Sequence, residues 1–130
     1  MPRFFNPKEM CPPFNPYSQG AEVKAGSRMV YFAGQVGADI DGKVSDNFEE
    51  QITQTYRNIE IILKEAGMGF ENLVKVNTYL SRREDAPKMR DIRKAFLGDH
   101  KPAHTLLFVS GFAYEEFLIE VEGVAAEDPA

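Results

Sequence analysis

The sequence predicts an α+β fold in a single domain covering residues 1–130, with elements in the order ββαβαββ. Three observations carry this reading. Two stretches repeat apolar residues at three- and four-residue spacing, as helices do. Five others are short and either alternate with period two or are continuously apolar, as strands are. The segments between them are brief and rich in Gly, Pro and Asp.

Taken in order, residues 1–20 are dense in proline and aromatics. They read as an ordered extended arm, because Phe4, Phe5, Phe14 and Tyr17 favour burial. Ala21–Lys24 and Met29–Ala33 flank Gly26-Ser27 as strand, turn and strand, and Gly34 closes the second. Asp39 to Asn47 is a polar loop. A helix follows, with Asp46 as N-cap and Glu49 as its capping-box partner. Its apolar stripe is Phe48, Ile52, Tyr56, Ile59, Leu63 and Ala66, and Gly67 stands where a left-handed residue ends a helix.

Leu73–Ser81 is a half-buried strand, with Val74, Val76, Thr78 and Leu80 opposite Lys75, Asn77 and Tyr79. A second helix starts near Asp85, with Pro87 in its first turn. Met89, Ile92 and Phe96 form its stripe and Gly98 ends it. Thr105–Val109 and Phe117–Ala125 are the last strands. In the final one Leu118, Glu120, Glu122 and Val124 share a face, against Ile119, Val121, Gly123 and Ala125. Two such helices cover only one face of the sheet. The other face mixes apolar groups with Lys75, Glu120 and Glu122, which suits a subunit interface enclosing a small-molecule site.

Composition narrows the function. The chain has 15 Lys+Arg against 20 Asp+Glu, a net charge of −5, and no basic stripe. That argues against nucleic acid as a partner. The single Cys11 excludes an intramolecular disulfide and is read as a small structural hydrophobe. One Cys and two His are too few for a thiolate-built zinc site, and Asp39, Asp41 and Asp46 lack the spacing of a calcium loop. Carboxylates would have to complete any such zinc site. The N-terminus has no secretory h-region, and no apolar run nears the roughly 20 residues of a spanning helix, so the expectation is a cytoplasmic protein without a membrane partner.

Six pieces resemble one family over nearly the whole chain. Asn15-Pro16-Tyr17-Ser18-Gln19 resembles the G-P-Y-S-Q arm of the RidA (YjgF) enamine/imine deaminases, and Phe32-Ala33-Gly34-Gln35-Val36 their S-G-Q-I/V. Gln51 to Gly67 is similar to their first helix, and Val74 to Leu80 to the next strand. Lys101-Pro102-Ala103 resembles the stretch before a key position. Ile119 to Ala125 is similar to the closing I-E-x-E-A-x-A. The resemblance implies a chorismate-mutase-like fold, a homotrimer with sites between subunits, and cofactor-free hydrolysis of 2-iminoacids or 2-aminoacrylate-like enamines to 2-oxoacids and ammonia.

The key position differs. The deaminase branch has an arginine after Pro-Ala; this chain has His104. A guanidinium grips a carboxylate by two parallel charge-assisted bonds. An imidazole cannot make that fork and is only partly charged at pH 7. Such bonds contribute roughly 1.5–3 kcal/mol each, so losing one costs on the order of ten- to over a hundredfold in affinity. Arg90 stands, by position, where the family has an asparagine, and is a candidate compensating cation; otherwise it is a solvated helix residue.

The resemblance assigns the remaining candidates. Glu120 matches the glutamate that handles water, as general base or proton relay; Glu122 is the runner-up. Tyr17 closes the site and Gly34 brings backbone to the substrate. Ala33 replaces a frequent serine. His104 is a weak carboxylate anchor, a proton-transfer group, or a tolerated residue in a site without catalysis. His100 is read as a surface loop residue.

Three functions compete: an imine/enamine deaminase of altered substrate preference, a non-catalytic trimer that binds a metabolite, and, disfavoured by acidity, an endoribonuclease or translation inhibitor.

Overall fold

A computed structural model describes all 130 residues. The elements are β1 (Arg3–Phe5), β2 (Gly20–Glu22), β3 (Arg28–Gln35), α1 (Phe48–Glu65), β4 (Leu73–Leu80), α2 (Ala86–Leu97), β5 (Ala103–Phe108) and β6 (Ile119–Glu127). Short 3₁₀ turns at Phe70–Asn72 and Arg83–Asp85 lead into β4 and α2. No helix is long and apolar enough to cross a membrane.

β3, β6, β4 and β5 form one sheet in that spatial order. Only β4 and β5 run parallel, because the chain between them is a helical crossover. Both helices pack on the same face. Ile52, Tyr56, Ile59 and Leu63 of α1 meet Met89 of α2, Val76 and Leu80 of β4, and Ile119, Val121 and Ala125 of β6 in one core. Each fully buried Leu or Ile contributes about 1.5–3 kcal/mol relative to exposure. The predicted α+β class and single helix layer are what the structure has.

Four local expectations are corrected. The arm contributes a strand, and β2 pairs with it rather than with β3. The Phe5 ring lies so close over Gly20 that a Cβ there would meet ring atoms at 2.3 Å. That contact and the Arg3–Glu22 ion pair at 3.0 Å seat β2 on β1. Phe14 is 85 % exposed; α1 and α2 already fill the sheet's buried face, and the proline-rich arm runs over the surface. The N-cap of α1 is Asn47, whose side chain accepts from Glu50 N at 3.0 Å, not Asp46. β5 begins at Ala103, two residues before the predicted start.

The helix ends follow expectation. Gly67 has φ +72°, Gly67 N donates to Lys64 O and Met68 N to Leu63 O, so both terminal carbonyls are satisfied. The polar residues of α1 act as clamps. Buried Gln51 donates to Ser45 O and Glu116 O, both at 2.7 Å, and accepts from Leu118 N. Asn58 donates to Val36 O and Ala38 O. These bonds fasten the loops that enter α1 and β6 and leave β3.

Gly123 is pressed against the backbone of the neighbouring strand. A Cβ there would lie 2.6 Å from Lys75 O and 2.7 Å from the Phe32 ring. Backbone cannot yield as a side chain can. Gly123→Ala is expected to cost about 1–3 kcal/mol, read as a lower urea midpoint at unchanged m-value.

Candidate functional site

The parallel register of β4 and β5 decides which way the key side chain points. It sets His104 beside Val76 and Leu106 beside Thr78, on the helix-covered face. Ala103 and Thr105 pair with Lys75 and Asn77 and face the other way. The arm reaches the same place. Ser18 bridges to Ala103, its N–H donates to Pro102 O at 3.2 Å and its hydroxyl to Lys101 O at 2.6 Å. Tyr17 is thereby held at the start of β5.

On α2, Arg90 and Arg93 are three residues apart and share one face. Arg93 is 7 % exposed. Its Nη1 contacts Nδ1 of His104, and the Thr78 hydroxyl lies 2.8 Å from Nε2. Guanidinium has only donors, so the neutral imidazole accepts from Arg93, whose Nη1 is closer to Nδ1 and 3.1 Å from Nε2. Burial, then the charges of Arg93 and Lys75, push the His104 pKa down to about 3. The expected partial charge at pH 7 is therefore corrected: His104 is neutral. Burial also lowers the Arg93 pKa from its ordinary value; Tyr56 opposes this and Arg90 adds to it. Burial raises the Tyr56 pKa to about 12, so this neighbour is neutral too.

Two cavities meet at these groups. One, of about 260 Å³, lies between α2 and the Gly98–Pro102 loop, with Val76 and His104 in its lining. The other, of about 340 Å³, lies on the arm side and is lined by Phe14, Asn15, Tyr17, Arg90, Arg93 and His104, among others. Arg90 Nε donates to Asn15 Oδ1 at 3.3 Å, and its Nη1 is buried without an acceptor. No ion pair of the chain includes Arg90 or Arg93.

Glu120 lies elsewhere. It pairs with Tyr79 and faces the side of the sheet without helices. A bulge between Phe32 and Gln35 brings Gly34 against it: a Cβ on Gly34 would sit 2.2 Å from Glu120 Oε2. The glycine is there to admit the carboxylate. Glu122, the runner-up, accepts from the Tyr79 hydroxyl at 2.6 Å and Asn77 Nδ2 at 3.3 Å. That bond raises the Tyr79 pKa, with burial second. Glu120 has no hydrogen-bond partner within the chain. A cavity of about 290 Å³ joins both glutamates to Tyr79, Val109, Gly111 and Phe112.

Of the candidates, the structure brings together Tyr17, Arg90 and His104, and separately Gly34 and Glu120. It does not bring the two sets into one cavity of one chain. Ala33 is exposed on β3 and lines neither cleft. Arg93 and Asn15 were not singled out from sequence; the i, i+3 spacing of Arg90 and Arg93 was the available signal. Cys11 is exposed, not a buried hydrophobe. His100 is half-buried rather than on the surface, with Nε2 at 2.7 Å from Leu73 O and the Phe4 ring edge-on to it. No group of three His, Cys, Asp or Glu is placed to hold a metal ion.

The profile of the family described as endoribonuclease L-PSP matches residues 8–127. A RutC family protein of Pyrococcus abyssi is 35 % identical over 118 residues, 89 % of this chain and 90 % of that protein. The human 2-iminobutanoate/2-iminopropanoate deaminase is 33 % identical over 116 residues, 88 % of this chain and 82 % of that protein. A crystal structure of a Rid-family protein of unknown function from Yersinia pestis superposes with a TM-score of 0.86 at 28 % identity, covering 97 % and 98 % of the two chains.

The neutrality of His104 is measurable. Its imidazole is expected to stay uncharged in an NMR titration down to about pH 4. A folded pKa depressed from 6.5 to about 3 contributes stability that is complete above pH 6.5 and lost as pH falls through about 3. His104→Gln should flatten that acid slope by at most about 1.4 kcal/mol per pH unit, read from urea midpoints between pH 6.5 and 4.

Proposed function

Because the chain belongs to the endoribonuclease L-PSP family, which includes RidA (YjgF), we propose that it is an imine deaminase. It converts a 2-imino acid and water to a 2-oxoacid and ammonia. Membership with relatives named 2-iminobutanoate/2-iminopropanoate deaminase supports a general imine deaminase role. The observation that carries the reading to this chain is Arg93: a guanidinium buried in a cleft without a carboxylate. It stands against His104, the position where the family resemblance expects an arginine. The substrate preference is altered, because the anchor comes from a helix and His104 only orients it.

The chemistry needs no redox step. Water adds its oxygen to the imine carbon while Glu120 accepts a water proton. The nitrogen is protonated, the C–N bond breaks, and ammonia leaves as the carbonyl forms. Arg93 neutralises the substrate carboxylate beside the reacting carbon. His104, held neutral, fixes the guanidinium through Nδ1. Tyr17 closes the arm side.

Glu120 and Arg93 face opposite sides of one sheet, so a complete site takes Glu120 from one copy and Arg93 from another. The sheet face without helices exposes Tyr31 to 75 % and Leu107 to 50 %, an apolar surface suited to burial between copies. We assign the assembly as a homotrimer and the location as cytoplasmic. Nuclease action is disfavoured because the free cations are enclosed in a cleft, where a phosphate backbone does not reach. A metabolite-binding protein without catalysis is the competing reading.

With 2-iminobutanoate generated in place by an amino-acid oxidase, the protein should speed 2-oxobutanoate release above the spontaneous rate. Glu120→Gln should lower kcat at least a hundredfold with little change in KM. Arg93→Met should raise KM at least tenfold. Release at the spontaneous rate alone would favour the binding reading. Light scattering should give three chains; a monomer would remove the shared site. Gly34→Ala is expected to lose at least tenfold in activity with under about 1 kcal/mol in stability, since only the flexible Glu120 carboxylate is displaced.

A further inference from the structure

We propose that the arm-side cleft is built for a dianion, so that the imino acid taken by this protein is a dicarboxylic one. One carboxylate lies on Arg93 and the second on Arg90. The proposal rests on the deaminase reading for its reaction and on three independent observations for its ligand.

The first is charge without compensation. Acidic residues outnumber basic ones 20 to 15, yet only Arg3, Lys24, Arg28, Arg82 and Lys88 have carboxylate partners, and the cations without one are exposed apart from Lys75, Arg90 and Arg93. Arg90 and Arg93 have none, although Arg93 is the most buried cation of the chain at 7 % exposure. The arm-side cavity has no acidic lining residue. In the cavity behind it Asp91 and Asp99 stand beside Lys94 and Lys101, two against two, which leaves the arginine charges unopposed.

The second is juxtaposition. Arg90 and Arg93 are one helical turn apart and line the same two cavities, and the charge of Arg90 helps lower the Arg93 pKa. Neutral His104 adds no third charge. Two like charges held together in a partly dry cleft repel unless an anion sits between or upon them. The third is an unmet donor. Arg90 Nη1 is shielded from solvent and has no acceptor, while its Nε is only weakly engaged by Asn15 at 3.3 Å. One carboxylate satisfies one guanidinium fork. A single carboxylate on Arg93 leaves that buried donor unpaired; a second carboxylate satisfies it.

The test compares 2-iminosuccinate, generated from aspartate, with 2-iminopropanoate, generated from alanine, on the assembled protein. Oxoacid release should show kcat/KM at least tenfold higher for 2-iminosuccinate. Arg90→Gln should lower that ratio at least tenfold, mainly through KM for 2-iminosuccinate. Calorimetry with succinate and propionate gives a readout without turnover: succinate binds tighter, and the gap closes in Arg90→Gln. A thermal melt confirms that the variant is folded. Hydrolysis of both imines without preference overturns the dianion assignment and leaves the deaminase reading standing. No hydrolysis of either, with tighter succinate binding, removes the deaminase reading and supports the dianion site. Equal binding of succinate and propionate, without turnover, overturns both.

Discussion

A guanidinium buried without a carboxylate is the constraint around which this molecule is arranged. Stripping water from an ion costs several kcal/mol even after relaxation, and Arg93 recovers that within the chain only from neutral groups. Everything near it answers to its charge. His104 is kept neutral by burial and by that charge, so its Nδ1 is free to accept. The Thr78 hydroxyl, one strand away, is hydrogen-bonded to the other ring nitrogen. The α2 helix is thus tied through Arg93 to β5 and β4 by a short polar chain under an otherwise apolar layer. The proposed carboxylate ligand would repay that desolvation cost.

The sheet divides the chemistry. Parallel pairing of β4 with β5 aims His104 at the helices. Antiparallel pairing of β4 with β6 aims Glu120 at the opposite side. The Arg90–Arg93 cleft and the Glu120 carboxylate therefore lie on opposite sides of the sheet within one copy. The proposed reaction would draw one half of the site from each of two copies. The bulge at Phe32–Gln35 and the side-chain-free surface of Gly34 keep the Glu120 carboxylate free of partners, in contrast to Glu122 beside it.

The clamps of α1 supply the rigidity that such a site needs. Gln51 is buried with all three of its hydrogen bonds made to backbone, and Asn58 holds the loop after β3. Both fasten segments that carry no regular backbone pairing of their own. The ends of β3 and β6, and with them Gly34 and Glu120, inherit that fixation.

Much of the fold was legible from residues alone. The stripe of Ile52, Tyr56, Ile59 and Leu63 and the alternation of Val74, Val76, Thr78 and Leu80 are local periodicities, and burial follows them directly. Gly67 ends α1 as a left-handed residue should. Glu120 and Gly34 were marked by the closing and S-G-Q-like motifs, and the structure sets them in contact. What sequence could not supply was long-range. Whether β2 joins β1 or β3 depends on an aromatic ring meeting a glycine fifteen residues away. Whether His104 faces helix or open side depends on where β5 begins, and a one-residue slip reverses it. The neutrality of His104 and the pairing of Arg90 with Arg93 are properties of burial and proximity. Periodicity decides which face a residue shares with its neighbours; only packing decides what that face meets, and therefore what charge it carries.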